Sequence, residues 1–401
     1  MGTANVVPNA SVAGMSMPSM PATVGAYLAA RLCLSYLFFQ SNPQQGAIAA
    51  FVLNIALLAI VVFYAFGPSA STPPRLLRVR CFRWVLAFLG FSLCSLYWSE
   101  AVSKAVAFGY WLGMAADVAL VLVLLRTAPV ATVCERFIKG YICGACFIAC
   151  VMWLSPTMTD LRPGNDDFFS PNAIGFTCAV GVFLSQLYSR SQRIWRLPAA
   201  FLAVSLLRSL SKTTIVAFIA GQLVMLARDK TIRRRSKVLL VSFAGLVIAA
   251  FWKLIAAYYE VYINAGNQAE TLTGRIGIWA FVLERAMERP WVGHGFHAFR
   301  NVIPPFGSFE AWHAHNELIQ QFYAYGVVGV VLLIGIYGSF YLQVRRVANP
   351  FHKSLFLGLI LFIVVRGLGD TERFDLSFPL WTITLLCMMM LSTRPRNEVL
   401  R

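Results

Sequence analysis

Apolar runs of roughly 15 to 23 residues recur from one end of this sequence to the other, each near the length a helix needs to cross about 30 Å of hydrocarbon. Twelve can be placed, at 24–40, 46–66, 82–98, 105–125, 137–154, 171–189, 197–211, 213–227, 238–255, 315–343, 354–370 and 376–393. A backbone in lipid must pair its own N–H and C=O groups, as helices and closed barrels do, and no run alternates as barrel strands would. With 58% hydrophobic and 13% charged residues, the chain has too little polar surface to coat a soluble domain of its size. The expected fold is all-α, a polytopic integral membrane protein with about 12 transmembrane helices.

The net charge of +17 raises nucleic acid as a partner, but its distribution excludes that. Basic residues gather in every second loop, at 75–83, 126–139, 190–196, 228–237, 345–353 and the C-terminal end. These loops hold 22 of the 34 Lys and Arg and three of the 17 acids, Glu135, Asp229 and Glu398. Cytoplasmic loops carry such an excess, and twelve spans with both termini cytoplasmic satisfy every cluster. Arg31 and Asp117 are left inside spans, where a structural pair between spans one and four is at least as good a reading as a functional one.

Residues 1–20 contain no Lys or Arg and no continuous apolar core, so they read as a short disordered cytoplasmic tail, not a cleaved signal. Residues 21–401 read as one polytopic membrane domain. Cys143, Cys146 and Cys150 share one helix stripe and read as small residues that let helices pack closely. The long loop at 253–312 follows the ninth span and is expected outside the cytoplasm. Within it, Ile276, Trp279, Leu283 and Met287 recur at helical spacing between a possible Thr273 cap and Pro290. That pattern predicts an amphipathic helix at the membrane surface.

Four of the five histidines, His294, His297, His313 and His315, fall in this loop and the helix start after it. His313 and His315 lack a third metal ligand and the i, i+4 spacing of helical zinc sites, so no metal is expected. His315 sits where the tenth span begins. The free N–H groups and positive dipole end there attract anions and disfavour imidazolium, conditions for a general base; the alternative is a simple His-Asn helix cap. Arg208, Lys212 and Arg275 lie on the same expected face, and Arg is suited to holding phosphate. Glu284, Arg285, Glu288 and Arg289 read as a solvated helix face with local ion pairs.

"HNELIQQFYAYGVVG", a His-Asn followed by Gly-x-x-Gly, resembles the signature of the bacterial O-antigen ligase and Wzy-type polysaccharide polymerase superfamily. "TLTGRIGIW", "RPWVGHGFHAF" and "WHAHN" resemble its exopolysaccharide (succinoglycan-type) polymerase branch, and "SPNAIGF" and "SLSKTT" match further segments in order. The resemblance implies an inner-membrane glycosyltransferase that takes an undecaprenyl-pyrophosphate-linked oligosaccharide at the periplasmic face and passes it to a sugar hydroxyl, with no cofactor. It also implies pathway partners: a chain-length regulator, a flippase and export proteins. His315 would be the base or the residue that orients the acceptor hydroxyl, and Arg275 would bind the leaving pyrophosphate. Lys212 stands where the family usually has Arg. Arg208, Asn316, His313 and His294 are the further substrate-binding candidates. The alternatives are a ligase moving polymer to lipid A core and an export or transport protein.

Overall fold

The structure, a computed structural model, describes residues 20–39, 42–66, 79–157, 162–164, 169–250, 252–264, 272–300, 303, 312–371 and 377–392. Residues 1–19 of the expected tail, and parts of the expected 253–312 loop, lie outside the described residues. In chain order the helices are α1 (Met20–Phe39), α2 (Pro43–Ala65), α3 (Arg80–Ser95), α4 (Lys104–Leu124), α5 (Val130–Leu154), α6 (Pro171–Ser189) and α7 (Arg196–Arg208). Then follow α8 (Lys212–Arg228), α9 (Arg234–Ala250), α10 (Trp252–Asn264), α11 (Leu272–Ala286), α12 (Glu317–Arg345), α13 (Pro350–Gly367) and α14 (Ser377–Ser392). Among the described residues there is no strand, only an isolated bridge between Thr157 and Pro163.

Local chemistry sets several of these starts. Ser170 accepts from the Ala173 N–H with Pro171 in the first turn of α6, and Asn349 and Pro350 do the same for α13. A side-chain acceptor satisfies an N–H that the helix leaves unpaired, and proline has none to lose. The "SPN" of the sequence is thus a helix cap.

Each expected span falls on helix, with the ninth divided between α9 and α10. By length and composition, however, five described helices can cross a membrane alone: Gln45–Ala65, Lys104–Leu124, Val130–Leu154, Glu317–Arg345 and Pro350–Gly367. The bent pair Met20–Arg31 and Cys33–Phe39 makes a sixth. The chain is a multi-pass membrane protein, and the count of twelve remains an expectation. The helices α7 and α8, 13 and 17 residues long, are too short to qualify singly.

α1 packs along α5, α2 on α4, α3 on α12, α6 on α7 and α8 on α13. Close approach of α1 and α5 depends on glycine: a Cβ at Gly140 would lie 2.0 Å from the Ala22 carbonyl oxygen. The cysteine stripe does not serve this purpose. Cys143 and Cys150 are exposed, and all nine cysteines are free. Arg31 and Asp117 do pair, at 2.7 Å, and Asn54 and Ser377 also donate to the Asp117 carboxylate. One carboxylate therefore ties α1, α2, α4 and α14 together.

α12 is broken at Gly326, where φ is 62° and ψ −153°. The segment after α11 docks into the break: Val327 N–H donates to the Pro290 carbonyl (2.8 Å), and His294 and Gly295 N–H donate to the carbonyls of Tyr323 (3.0 Å) and Ala324 (2.8 Å). Irregular backbone inside a membrane protein must be paired in this way. The Gly-x-x-Gly of the sequence marks the break, since a Cβ at Gly326 would lie 2.4 Å from Trp291 backbone.

α11 is two-faced, as its periodicity predicts, but its faces are divided differently. Ile278, Val282 and Ala286 pack with Ala298, Phe299, Ala314 and Tyr323 in a small buried cluster. Of the expected apolar stripe, Ile276, Leu283 and Met287 are exposed and can meet lipid headgroups, while Trp279 is half-buried and donates from Nε1 to the Ala314 carbonyl. The Thr273 side chain lies outside the described residues.

Candidate functional site

Several chain segments converge at one place: the starts of α6, α8 and α12, the side of α11, and the turn after α13. Ser211, between α7 and α8, donates from Oγ to Asn172 Oδ1 at 2.8 Å, joining the "SLSKTT" and "SPNAIGF" segments. Arg275 on α11 donates through Nη1 to the Gly369 carbonyl and, at 3.4 Å, to Thr213 Oγ1. Asn316 caps α12 by accepting from the Ile319 N–H (3.2 Å), and its Nδ2 donates to the Leu368 carbonyl (3.0 Å).

His315 stands at the centre of this convergence. It is 8% exposed and holds a left-handed backbone, φ 50°. Its ring lies against that of His313, centroids 4.2 Å apart. Its Nδ1 faces Asp370 Oδ1 at 3.4 Å, longer than a short hydrogen bond. Arg366 Nη2 donates to the other oxygen, Asp370 Oδ2, at 3.0 Å. Burial pushes the Asp370 carboxyl up, but the Arg366 guanidinium and the facing His315 and His313 outweigh it, holding the group well below the usual carboxylate range. Beside this group a cavity of about 20 Å³, lined in part by Glu317 and Arg366, has room for one water.

Two backbone features at the site carry strain. Leu210, His297 and His315 are the non-glycine residues with positive φ among the described residues; each such residue costs about 1–3 kcal/mol, and strain of this kind clusters at functional positions. Leu210 turns the chain just before α8, whose N-cap residue Ser211 makes no side-chain cap hydrogen bond. The first-turn N–H groups of α8, with Lys212 as its first residue, are thus left to other acceptors, an arrangement that suits an anion.

The expected residues do not all gather here. His313, His315, Asn316 and Arg275 share contacts, and Lys212 adjoins Thr213. Arg208 lies at the end of α7, its guanidinium 6.0 Å from the Trp153 ring centroid. His294 is fully buried elsewhere: Nδ1 meets Glu100 Oε2 (2.9 Å), Nε2 donates to the Arg285 carbonyl (2.9 Å), and the ring stacks on Tyr323. With both nitrogens used, it pins the docked segment. Arg285 and Arg289 reach the same Glu100, at 3.8 and 3.0 Å, so the expected solvated face is in part a tertiary contact. Asp370 and Arg366 join the site from the end of α13 and the turn after it, without a local sequence signal that marks them.

His313, His315 and Asp370 present ligand atoms within 4.8 Å of one another, so Asp370 is the third ligand the sequence lacked. The electrostatics oppose a cation. Asp370 already neutralises Arg366, and Arg275 and Lys212 lie on adjoining segments, so the surroundings favour negative charge.

Residues 197–334 match the family model described as O-Antigen ligase. Over 385 residues, covering 88% of this chain and 85% of the relative, the sequence is 26% identical to the exopolysaccharide production protein ExoQ of Rhizobium meliloti (strain 1021). The family match runs from the start of α7 into α12. It includes Lys212, Arg275, His313, His315 and Asn316, and ends before Arg366 and Asp370. The resemblance carried by the ordered motifs is thereby shown.

Proposed function

We propose that this chain, related through residues 197–334 to the O-antigen ligase family, is a polymerase of lipid-linked saccharides. It joins undecaprenyl-pyrophosphate-linked repeat units into exopolysaccharide at the periplasmic face of the inner membrane. The observation that carries the reading is His315 held against Asp370, with Arg366 on the same carboxylate and Arg275 on the adjoining turn.

A carboxylate at Nδ1 keeps the proton there and leaves Nε2 as the base. Nε2 takes the proton from the acceptor sugar's hydroxyl as its oxygen bonds to the anomeric carbon of the donor. The bond from that carbon to pyrophosphate breaks, and the electron pair leaves with the pyrophosphate. In this scheme Lys212 and the N–H groups opening α8 take up the charge that develops, and donors fixed in place before the reaction are the largest lever on such a barrier. Arg275 is 8% exposed and its Nη1 is committed to Gly369, so it holds the turn after α13 as well as adding positive charge. A single displacement inverts the anomeric centre. Retained configuration in the product linkage would count against this scheme.

The test is His315→Ala in a deletion strain, with carrier-linked sugars sized by gel. Single repeat units should accumulate; normal chain length from a correctly inserted variant ends the assignment. The family description favours one other reading, ligation of finished polymer to lipid A core. In that case loss of the protein strands long chains on the carrier instead of single units.

A further inference from the structure

A row of half-buried side chains leads away from the two histidines. Trp312, next in sequence to His313, lies under the Arg300 guanidinium, 4.3 Å from ring centroid to Cζ. Arg300 Nη1 donates to the Tyr110 hydroxyl at 2.9 Å. The Tyr110 ring in turn stacks on His297, with centroids 4.5 Å apart and planes within 21°. These four come from α4, from the turn after α11 and from the residues just before α12. Each is half-buried, whereas Phe296, Ala298 and Phe299, interleaved among them in sequence, are buried. His297 takes a left-handed backbone, φ 60°, to hold its ring on Tyr110.

Rings used only for core packing are buried, whereas Tyr110 and Trp312 are half-buried and keep part of their surface accessible. Flat surfaces with donors at their rims fit a ligand that is apolar on its faces and polar around its edge. A pyranose has that character, with C–H groups on its faces and hydroxyls around it. A hydrocarbon chain would find Arg300 and the tyrosine hydroxyl wasted, and a simple anion would have no use for the rings. Arg300 is itself fixed flat by Trp312 and Tyr110, so it loses little freedom on binding.

We propose that Trp312, Arg300, Tyr110 and His297 form a saccharide subsite that holds the acceptor glycan and leads its terminal hydroxyl to His315. The inference rests on the polymerase reading for its orientation but not for its chemistry, and the two fail separately.

Full-length protein in lipid nanodiscs is mixed with repeat-unit oligosaccharides cut from the secreted polymer, and saturation-transfer NMR is recorded. Transfer to the sugar C–H protons is expected for the native protein and for His315→Ala. It should be lost in Trp312→Ala and Tyr110→Leu and retained in Trp312→Phe, which keeps a flat face. In a transfer assay Trp312→Ala should raise the acceptor KM about tenfold, equivalent to about 1.4 kcal/mol, with kcat within about twofold, whereas a misfolded variant loses kcat. No transfer to the native protein, or equal transfer in Trp312→Ala and Tyr110→Leu, overturns the subsite. If the oligosaccharides bind through Trp312 while His315→Ala still makes polymer of normal length, the subsite stands and the polymerase assignment falls.

Discussion

Asp370 does two things at once: it faces the Nδ1 of His315 and it is held by Arg366. Its folded carboxyl sits below the unfolded value of 3.8, so its contribution to stability is fully present above about pH 4 and is lost as pH falls from there through the lower folded value. Thermal unfolding of the native protein should therefore be flat in this respect down to about pH 4 and fall below it, and Asp370→Asn should remove that part of the fall. The same variant should slow transfer about 10²-fold, the low end of general-base effects, by releasing the histidine tautomer. An unchanged rate would detach Asp370 from the chemistry. His315 was legible in the sequence because a His-Asn pair before an apolar run is a local signal. Asp370 was not, because it follows a different helix, and nothing in the sequence states that the α13 turn folds against the start of α12.

At the scale of elements, the break in α12 and the buried Arg31–Asp117 pair are the features most sensitive to substitution. Gly326→Ala places a side chain at φ 62° and against Trp291 backbone. The conformational part alone costs about 1–3 kcal/mol, and a lower melting temperature in detergent, with loss of polymer, is the expected outcome. Arg31→Leu leaves Asp117 with its hydrogen bonds from Asn54 and Ser377 but without its counter-charge, a loss worth about 3–5 kcal/mol. Removing both charges as Arg31→Leu with Asp117→Leu should cost less than Arg31→Leu alone; a double variant less stable than the single would show that the pair does more than balance charge. The positions of the helices were legible because an apolar run of spanning length has few alternatives in lipid. The unwound turn was visible only as two glycines, since its partner strip, 290–295, announces itself by no periodicity of its own. For α11 the period was legible but the face that packs on the protein, Ile278, Val282 and Ala286, was not, because both faces carry apolar residues and only the packed fold decides between them.

Across the whole molecule, the basic loops and the site segments make opposite demands on orientation. The α11 segment and the His313–His315 region belong outside the cytoplasm if the loops 190–196 and 228–237 lie inside. A fluorescent reporter that folds in the cytoplasm should glow when fused after α14, and an enzyme active only in the periplasm should work when fused after α11. The reverse pair of results would invert the topology and remove the periplasmic setting of the proposed reaction.

The docking of residues 290–295 into the break of α12 also bears on how the protein is made. The carbonyls of Tyr323 and Ala324 that receive His294 and Gly295 leave the ribosome only after the docking segment has been synthesised. The contacts from Ser95, Ser99 and Glu100 to His294 and Phe296, by contrast, use earlier chain. The segment can therefore rest on the α3–α4 turn first and be locked when α12 arrives, which makes insertion of α12 the step that commits the end carrying the candidate site to its final shape.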